Sequence, residues 1–127
     1  MAVGYKQLVE DAESRIKTIS AEQALIEFDS PDVTFVDLRD VRELKREGKI
    51  PGAFHCPRGL LEFWIDPESQ YHNPVFAENK KFVFYCNLGW RSALAADIAQ
   101  KMGLADVCHI DGGFEAWKAA GGAVEAK

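Results

Sequence analysis

The stretch at residues 81–102 reads KFVFYCNLGWRSALAADIAQKM and predicts a strand, a loop and a helix in that order. Its first five residues, 81–85, are mostly apolar and aromatic, which is typical of a buried β-strand. A single cysteine, Cys86, follows this strand, and a short loop containing Gly89 leads into a helix that should begin near Arg91. Alternation of strand and helix is typical of α/β folds.

The helix of this stretch carries regularly spaced apolar residues. Leu94, Ile98 and Met102 recur every fourth residue, which predicts that together they form its apolar, core-facing side. Ala95 and Ala99 are small and would allow a neighbouring element to approach closely.

The flanking sequence predicts further strands and helices in alternation. The strands are expected at residues 16–19, 33–36, around 54–55 and at 107–110, and the helices at residues 3–14, 21–28, 41–47 and 114–120. A Ser-x-x-Gln capping box at Ser20 supports the second helix, and Asp40 is expected to cap the third.

We therefore predict an α/β fold with one domain over residues 1–127, built on a mainly parallel sheet of about five strands with helices on both faces. Residues 1–15 would form an N-terminal helical extension and residues 16–122 the core. Residues 58–80 read as an insertion that ends in a long surface excursion, and loops of that length are usually functional or mobile.

Composition and charge exclude several classes of function. The net charge of −5 argues against nucleic-acid binding, and no apolar run approaches the roughly 18 residues of a membrane span. The first 15 residues contain no apolar segment typical of a secretory signal, so a cytoplasmic protein is expected. Three cysteines, Cys56, Cys86 and Cys108, are an odd number and indicate reduced thiols, and their spacing matches no common metal site. We therefore expect no metal and no cofactor.

Two predicted strands end in charged or reactive residues. Asp37 and Arg39 follow one strand, and Cys86 follows another. Because sites in open α/β sheets form at the carboxyl ends of strands, these residues should open onto the same edge.

The loop after Cys86 has the features of a cradle for a reactive thiolate. Unpaired N–H groups in the loop and at the start of the helix stabilise negative charge on a sulfur atom. Gly89 allows a positive φ, so that successive amides can turn towards the sulfur. Arg91 adds a permanent positive charge, and no histidine lies nearby in the sequence to act as a base.

Three ordered motifs resemble a known family. The pattern C-x-x-G-x-R-S at residues 86–92 resembles the active-site loop of the rhodanese-like, or sulfurtransferase, family. The upstream VDLR and IPGA motifs at residues 36–39 and 50–53 resemble a second family signature, and DGGF at residues 111–114 resembles a third. The likeness covers about residues 18–122.

The resemblance implies a single rhodanese-like domain that transfers sulfur through a persulfide on Cys86. The donor would be thiosulfate or a thiol persulfide, the acceptor cyanide or another thiol, and either could be carried by a protein. Loop amides would stabilise the charge on the bound sulfur. The residues expected to bind substrate are Asn87, Leu88, Gly89, Trp90, Arg91, Ser92 and, at the rim, Arg58.

Other residues have supporting or open roles. The residues expected to brace the loop from behind are Asp37, Arg39 and Glu43. Two roles remain open for Arg91, which either binds an anionic donor or pairs with Glu43 or Asp37. Trp64 and Trp90 are candidate walls of the pocket, although Trp64 fits equally well as packing under the insertion.

Three alternative functions compete with sulfur transfer. A cysteine phosphatase or arsenate reductase would use a similar loop, but related phosphatases have five residues between cysteine and arginine, whereas this chain has four, at 87–90. The shorter loop suits one sulfur atom better than a tetrahedral oxyanion. A partner-binding module is disfavoured because inactive family members often lack the cysteine. A sulfur carrier or redox sensor would keep the persulfide and use it differently, and the sequence does not separate these uses.

Overall fold

The computed structural model describes residues 2–127, and its centre is a sheet of five strands. The strands are β1 (Lys17–Ile19), β2 (Val33–Asp37), β3 (Phe54–His55), β4 (Lys81–Tyr85) and β5 (Val107–Ile110). They are ordered β1-β5-β4-β2-β3, and every neighbouring pair is parallel. The predicted fold class is confirmed, and the sheet is wholly parallel rather than mainly so.

Six α-helices connect and flank these strands within residues 2–127. They are α1 (Tyr5–Glu13), α2 (Ala21–Glu27), α3 (Val41–Glu47), α4 (Leu61–Ile65), α5 (Trp90–Lys101) and α6 (Gly113–Ala119), with short 3₁₀ turns at Arg58–Leu60 and Pro74–Ala77. In the part of the chain that the structure describes, no helix has both the length and the apolar character needed to cross a bilayer.

The N-termini of two helices are capped by side chains. The Ser20 hydroxyl accepts the Gln23 N–H at 3.0 Å, but the Gln23 side chain turns to Glu27 instead of back to Ser20, so only half of the predicted box forms. At α3 the box is complete, because Asp40 accepts an N–H from the first turn and the Glu43 carboxylate accepts the Asp40 N–H at 2.9 Å. The sequence analysis identified the Asp40 cap and missed the part played by Glu43.

The alternating side chains of the central strands divide the core into two layers. Phe82 and Phe84 of β4 pack with residues of α4 and α5 on one face of the sheet. Val83 and Tyr85 pack with residues of α2 and α6 on the other face. A period of two along the strand therefore separates the two helical layers, as expected for a parallel sheet covered on both sides.

The buried side of α5 differs from the prediction. Its buried apolar residues are alanines, Ala93, Ala95, Ala96 and Ala99. The large residues at 94 and 98 are only half-buried, and Met102 is 39% exposed. The reason is that α5 contacts β4, β5, α1 and α4 at once, so small side chains are needed where neighbours approach from several directions.

The insertion at residues 58–80 covers one face of the sheet. Phe76 is buried, and its ring lies 5.8 Å from that of Phe54 and 5.7 Å from that of Phe82. Trp64 packs on Phe54 at 5.8 Å between ring centroids. Trp64 thus contributes to this packing, which is the second of the two roles considered for it from the sequence.

A fully buried ion pair lies at the carboxyl end of β2. Two guanidinium nitrogens of Arg39 donate to the Asp37 carboxylate at 3.0 and 2.8 Å, and one also donates to the Gly48 carbonyl at 2.8 Å. The guanidinium carbon lies 4.3 Å from the ring centroid of Phe114 and 5.7 Å from that of Tyr85. The pair therefore links β2 and the end of α3 to the aromatic residues of β4 and α6.

This geometry predicts a large loss of stability for Arg39→Met, because the buried Asp37 carboxylate would lose its counter-charge. We expect the free energy of unfolding to fall by about 3–5 kcal/mol in urea denaturation. Arg42→Met is the matched control, since Arg42 pairs with Asp40 on the surface and its side chain is 83% exposed. Its expected cost is below about 1 kcal/mol, and similar costs for the two variants would contradict the prediction.

Candidate active site

Cys86 lies immediately beyond β4 with its side chain enclosed by the loop that follows. The residue is 1% exposed, and its sulfur accepts the backbone N–H groups of Gly89 at 3.2 Å and Ser92 at 3.4 Å. The Ser92 hydroxyl lies 3.6 Å from the same sulfur. The sulfur is therefore surrounded by hydrogen-bond donors at the N-terminus of α5, which favours a negative charge there.

The turn of the loop depends on Gly89. Its φ of +101° lies in the left-handed region, and a β-carbon there would come within 3.3 Å of the Gly112 nitrogen. A residue with a side chain would be strained in this conformation and crowded by the neighbouring loop. This backbone turn directs the amides of residues 89 and 92 towards the sulfur.

The start of α6 holds the loop from the other side. The Phe114 N–H donates to the Cys86 carbonyl at 2.8 Å, and the Glu115 N–H donates to the Asn87 carbonyl at 3.2 Å. Gly113, with φ of +59°, lies so close that a β-carbon would be 2.5 Å from the Cys86 oxygen. The helix therefore binds two carbonyl groups at the start of the loop and holds the loop in position. The DGGF motif at residues 111–114 was recognised from the sequence only as a resemblance to a family signature, and this contact with the loop was not predicted.

A cavity of about 270 Å³ opens above the sulfur. Its lining residues are Cys86, Asn87, Leu88, Trp90 and Arg91. Leu88 and Trp90 are half-exposed and give the entrance an apolar wall, and the Trp90 ring contacts Tyr5 of α1 at 5.2 Å between centroids. The Asn87 side-chain oxygen is buried and has no hydrogen-bond partner within residues 2–127.

Arg91 contributes its charge to an ion pair with α3. Its two terminal nitrogens donate to the two carboxylate oxygens of Glu43 at 2.8 and 3.0 Å. The hydrogen bond from Arg91 lowers the pKa of Glu43, so the carboxylate stays ionised at neutral pH. Of the two contacts considered for Arg91 from the sequence, the structure contains the one with Glu43. The positive charge of Arg91, which lines the cavity, is therefore already neutralised by the Glu43 carboxylate.

Arg58 does not line the cavity. Its guanidinium donates to the Glu62 carboxylate, one helical turn later, at 2.8 Å. Arg58, predicted from the sequence to lie at the pocket rim, is therefore paired with an acidic residue of the insertion and is not among the residues that line the cavity.

The other two thiols lie in the core. Cys56 and Cys108 are both fully buried, and none of the three cysteines forms a disulfide. Burial raises the pKa of Cys56 to about 12 and that of Cys108 to about 11, so both remain protonated at neutral pH. Cys86, in contrast, faces a cavity and receives hydrogen bonds at its sulfur.

His109 is a polar residue near the sulfur to which the sequence-based interpretation gave no role at the site. Its Nδ1 atom lies 2.9 Å from the Ser92 hydroxyl, and its Nε2 atom lies 3.1 Å from the Thr18 hydroxyl. Burial lowers the pKa of His109 to about 4, so the ring is neutral at physiological pH. The available signal was a histidine inside an otherwise apolar strand, where a buried ring needs partners.

Comparison of sequences places the chain among known proteins. The family model for the rhodanese-like domain matches residues 20–120. The chain is 32% identical over 104 residues to the thiosulfate sulfurtransferase GlpE of Pseudoalteromonas translucida, an alignment that covers 82% of this chain and 90% of that protein. It is 30% identical over 93 residues to the thiosulfate sulfurtransferase/rhodanese-like domain-containing protein 3 of Mus musculus. That alignment covers 69% of this chain but 59% of the mouse protein, so the chain spans less than two thirds of that relative.

Solved structures show the same fold. A Rhodopseudomonas palustris protein of unknown function, described as a possible tyrosine phosphatase, is 54% identical with a TM-score of 0.95, covering 98% of this chain and 96% of that one. The polysulfide-sulfur transferase homodimer of Wolinella succinogenes is 27% identical with a TM-score of 0.72, covering 97% of this chain and 88% of that one.

The close contact of Gly113 with the loop predicts that Gly113→Ala will disrupt the site. The alanine would have to adopt a positive φ and would clash with the Cys86 carbonyl. We expect unfolding free energy to fall by more than about 2 kcal/mol, measured by urea denaturation. The control is Gly59→Ala, where a β-carbon meets no atom within 4 Å and φ is not positive. Equal stabilities of the two variants would contradict the role given to Gly113.

Proposed function

The chain belongs to the rhodanese-like domain family, and from this premise we propose that it is a sulfurtransferase that carries a sulfane sulfur on Cys86. The observation that carries the proposal is the pair of backbone N–H groups, from Gly89 and Ser92, that point at the Cys86 sulfur inside a small cavity. Such donors stabilise a thiolate before the reaction and the charge on a persulfide after it.

The proposed reaction has two steps. In the first, the Cys86 thiolate attacks the outer sulfur of the donor, a new S–S bond forms and the donor's S–S bond breaks. The electron pair leaves with sulfite when the donor is thiosulfate, or with a thiolate when the donor is a persulfide. In the second step, cyanide or an acceptor thiolate attacks the outer sulfur, and Cys86 regains its thiolate. The products are thiocyanate or a new persulfide, and oxidation states balance without a further reactant.

The charges around the cavity favour a thiol-borne donor over thiosulfate. The Arg91 guanidinium, the cation in the lining, already has both terminal nitrogens on Glu43. A thiosulfate dianion would therefore meet backbone dipoles and the apolar side chains of Leu88 and Trp90, with no unpaired cation from the lining residues. A persulfide on a small thiol or on a partner protein makes less demand on side-chain charge. We place this chemistry in the reducing cytoplasm, where the three free thiols would persist.

A cysteine phosphatase is the second candidate, favoured by the relative described as a possible tyrosine phosphatase. That chemistry needs a guanidinium free to bind the phosphate oxygens in pairs. In this chain Arg91 makes that paired contact with Glu43, and only four residues separate it from Cys86. Sulfur transfer requires neither a free arginine nor a wide loop, and we prefer it for that reason.

The first test is mass spectrometry of the intact protein after incubation with thiosulfate or a small-molecule persulfide. We expect the mass to rise by one sulfur atom, the added sulfur to be removed by cyanide, and both changes to be absent in Cys86→Ser. Cys108→Ala is the matched control and should still take up sulfur, because that thiol is buried in the core. Sulfur retained by Cys86→Ser would contradict the assignment, and hydrolysis of p-nitrophenyl phosphate without sulfur uptake would favour the phosphatase.

The second test concerns the donor and uses Glu43→Gln, which removes the charge that balances Arg91 and keeps the shape of the side chain. Because an anionic donor would gain a charged hydrogen bond, we expect the ratio of kcat/KM for thiosulfate to that for glutathione persulfide to rise about tenfold. Glu62→Gln is the control, since it frees Arg58 outside the cavity and should leave the ratio unchanged. If Glu62→Gln raises the ratio and Glu43→Gln does not, the anion-binding role belongs to Arg58.

A further inference from the structure

A row of hydrogen-bonding groups runs from the Cys86 sulfur through Ser92 of α5 to His109 of β5 and on to Thr18 of the neighbouring strand β1. The Ser92 hydroxyl lies 3.6 Å from the Cys86 sulfur and 2.9 Å from Nδ1 of His109. The other ring nitrogen, Nε2, lies 3.1 Å from the hydroxyl of Thr18 on β1. The imidazole is 1% exposed, so these two hydroxyls take the place of water as its partners.

The direction of the hydrogen bonds in this row follows from the charge at its end. A thiolate or a persulfide anion can only accept a hydrogen bond, so its contact with Ser92 is a hydrogen bond only when the serine hydroxyl donates to the sulfur. The serine oxygen then accepts from His109, which requires the ring proton on Nδ1. Nε2 is left as an acceptor for the Thr18 hydroxyl. One neutral tautomer of His109 satisfies every group in the row.

The surroundings of the ring keep it neutral, as this arrangement requires. Burial is the main cause of the low pKa of His109, and the charge of Asp111 opposes it without overcoming it. The nearest acidic oxygen on α1, in Glu13, lies 3.9 Å from Nε2, which is beyond hydrogen-bond distance.

The hydroxyl of Ser92 has an alternative hydrogen-bond acceptor in the backbone of α5. Ser92 lies in the first turn of α5, where a hydroxyl can rotate towards the carbonyl three residues earlier, that of the N-cap residue Gly89. That rotation is unfavourable when another group donates a hydrogen bond to the Ser92 oxygen, because the hydroxyl proton must then point away from the donor. His109 supplies this donor from β5, an element that contacts α5 across the core.

We propose that His109 is a positioning residue for sulfur chemistry, because its Nδ1–H holds the Ser92 hydroxyl in the orientation that donates to the Cys86 sulfur. The hydroxyl then acts as a third donor beside the backbone N–H groups of Gly89 and Ser92. The effect of this third hydrogen bond on turnover rests on the proposed function, whereas its effect on the ionisation of Cys86 does not. The experiments below therefore measure the thiolate directly.

The first experiment determines the tautomer of His109 by ¹⁵N NMR of the whole protein at about pH 9, where thiols ionise readily. We expect Nδ1 to carry the proton and Nε2 to be an acceptor. The signals of His55 and His72 are distinguished by comparison with His109→Asn. A proton on Nε2 would overturn the proposal, since His109 could then not donate to Ser92. The tautomer itself is read from the unaltered chain, and His109→Asn serves only to assign the signals.

The second experiment is a double-mutant cycle read out by the pH profile of Cys86 alkylation with iodoacetamide. Cys56 and Cys108 belong to the two core layers, whereas Cys86 lines the cavity, so a single addition reports on Cys86. Loss of one hydrogen bond to the charged sulfur should move the half-maximal rate about one pH unit higher in Ser92→Ala, and equally in His109→Leu. The double variant should shift no further than Ser92→Ala alone, because His109 acts only through that hydroxyl. Additive shifts, or no shift in His109→Leu, would overturn the proposal.

Two further variants separate positioning from simple packing. His109→Asn keeps an N–H near the Nδ1 position and should restore the wild-type profile to within about 0.3 pH unit. Cys108→Ala alters the adjacent residue of the same strand, whose side chain belongs to the other core layer, and should leave the profile unchanged. If His109→Asn shifts the profile as far as His109→Leu does, hydrogen bonding to Ser92 is not the cause. Sulfur-transfer assays with the same set then show whether the thiolate effect extends to turnover.

Discussion

The close approach of α6 to the loop after β4 is the contact on which the site depends. With no side chain at Gly113, two helix N–H groups reach the carbonyls of Cys86 and Asn87. With these two carbonyl groups bound to α6, the start of the loop is fixed in position, and the N–H groups of Gly89 and Ser92 further along donate to the sulfur. A helix that follows later in the chain thus helps to hold the donors around the cysteine.

Two backbone N–H groups donate directly to the sulfur, whereas the charge of Arg91 acts on it from a guanidinium that is paired with Glu43. Three arginines considered for the site are each held by a carboxylate: Arg39 by Asp37, Arg58 by Glu62 and Arg91 by Glu43. The Glu43 carboxylate also completes the cap of α3, so the loop, the helix and the ion pair form one connected unit. A site of this kind stabilises charge on one sulfur atom without strongly attracting dianions from solution.

The strands, helix α5 and Arg58 show which features of the structure the sequence could predict and which it could not. The strands were predicted because buried β-strands are rich in β-branched and aromatic residues, and this preference is local. The buried side of α5 was assigned to the large residues at 94, 98 and 102, whereas the structure buries alanines instead. Periodicity alone could not show that several elements crowd one helix. Arg58 was placed at the pocket because an arginine near a predicted site suggests anion binding, and its partner Glu62 was overlooked.

The sequence by itself determined the α/β class, the parallel order of strand and helix, and the cysteine loop with its glycine, since these follow from residues close together in the chain. The tertiary structure alone decided which charges cancel and which donors meet the sulfur. Arg91 and Glu43 are 48 residues apart, and Ser92 and His109 are 17 apart. No local pattern records these pairs, because they form only when parallel strands bring their carboxyl ends, and the helices that follow them, to one edge of the sheet.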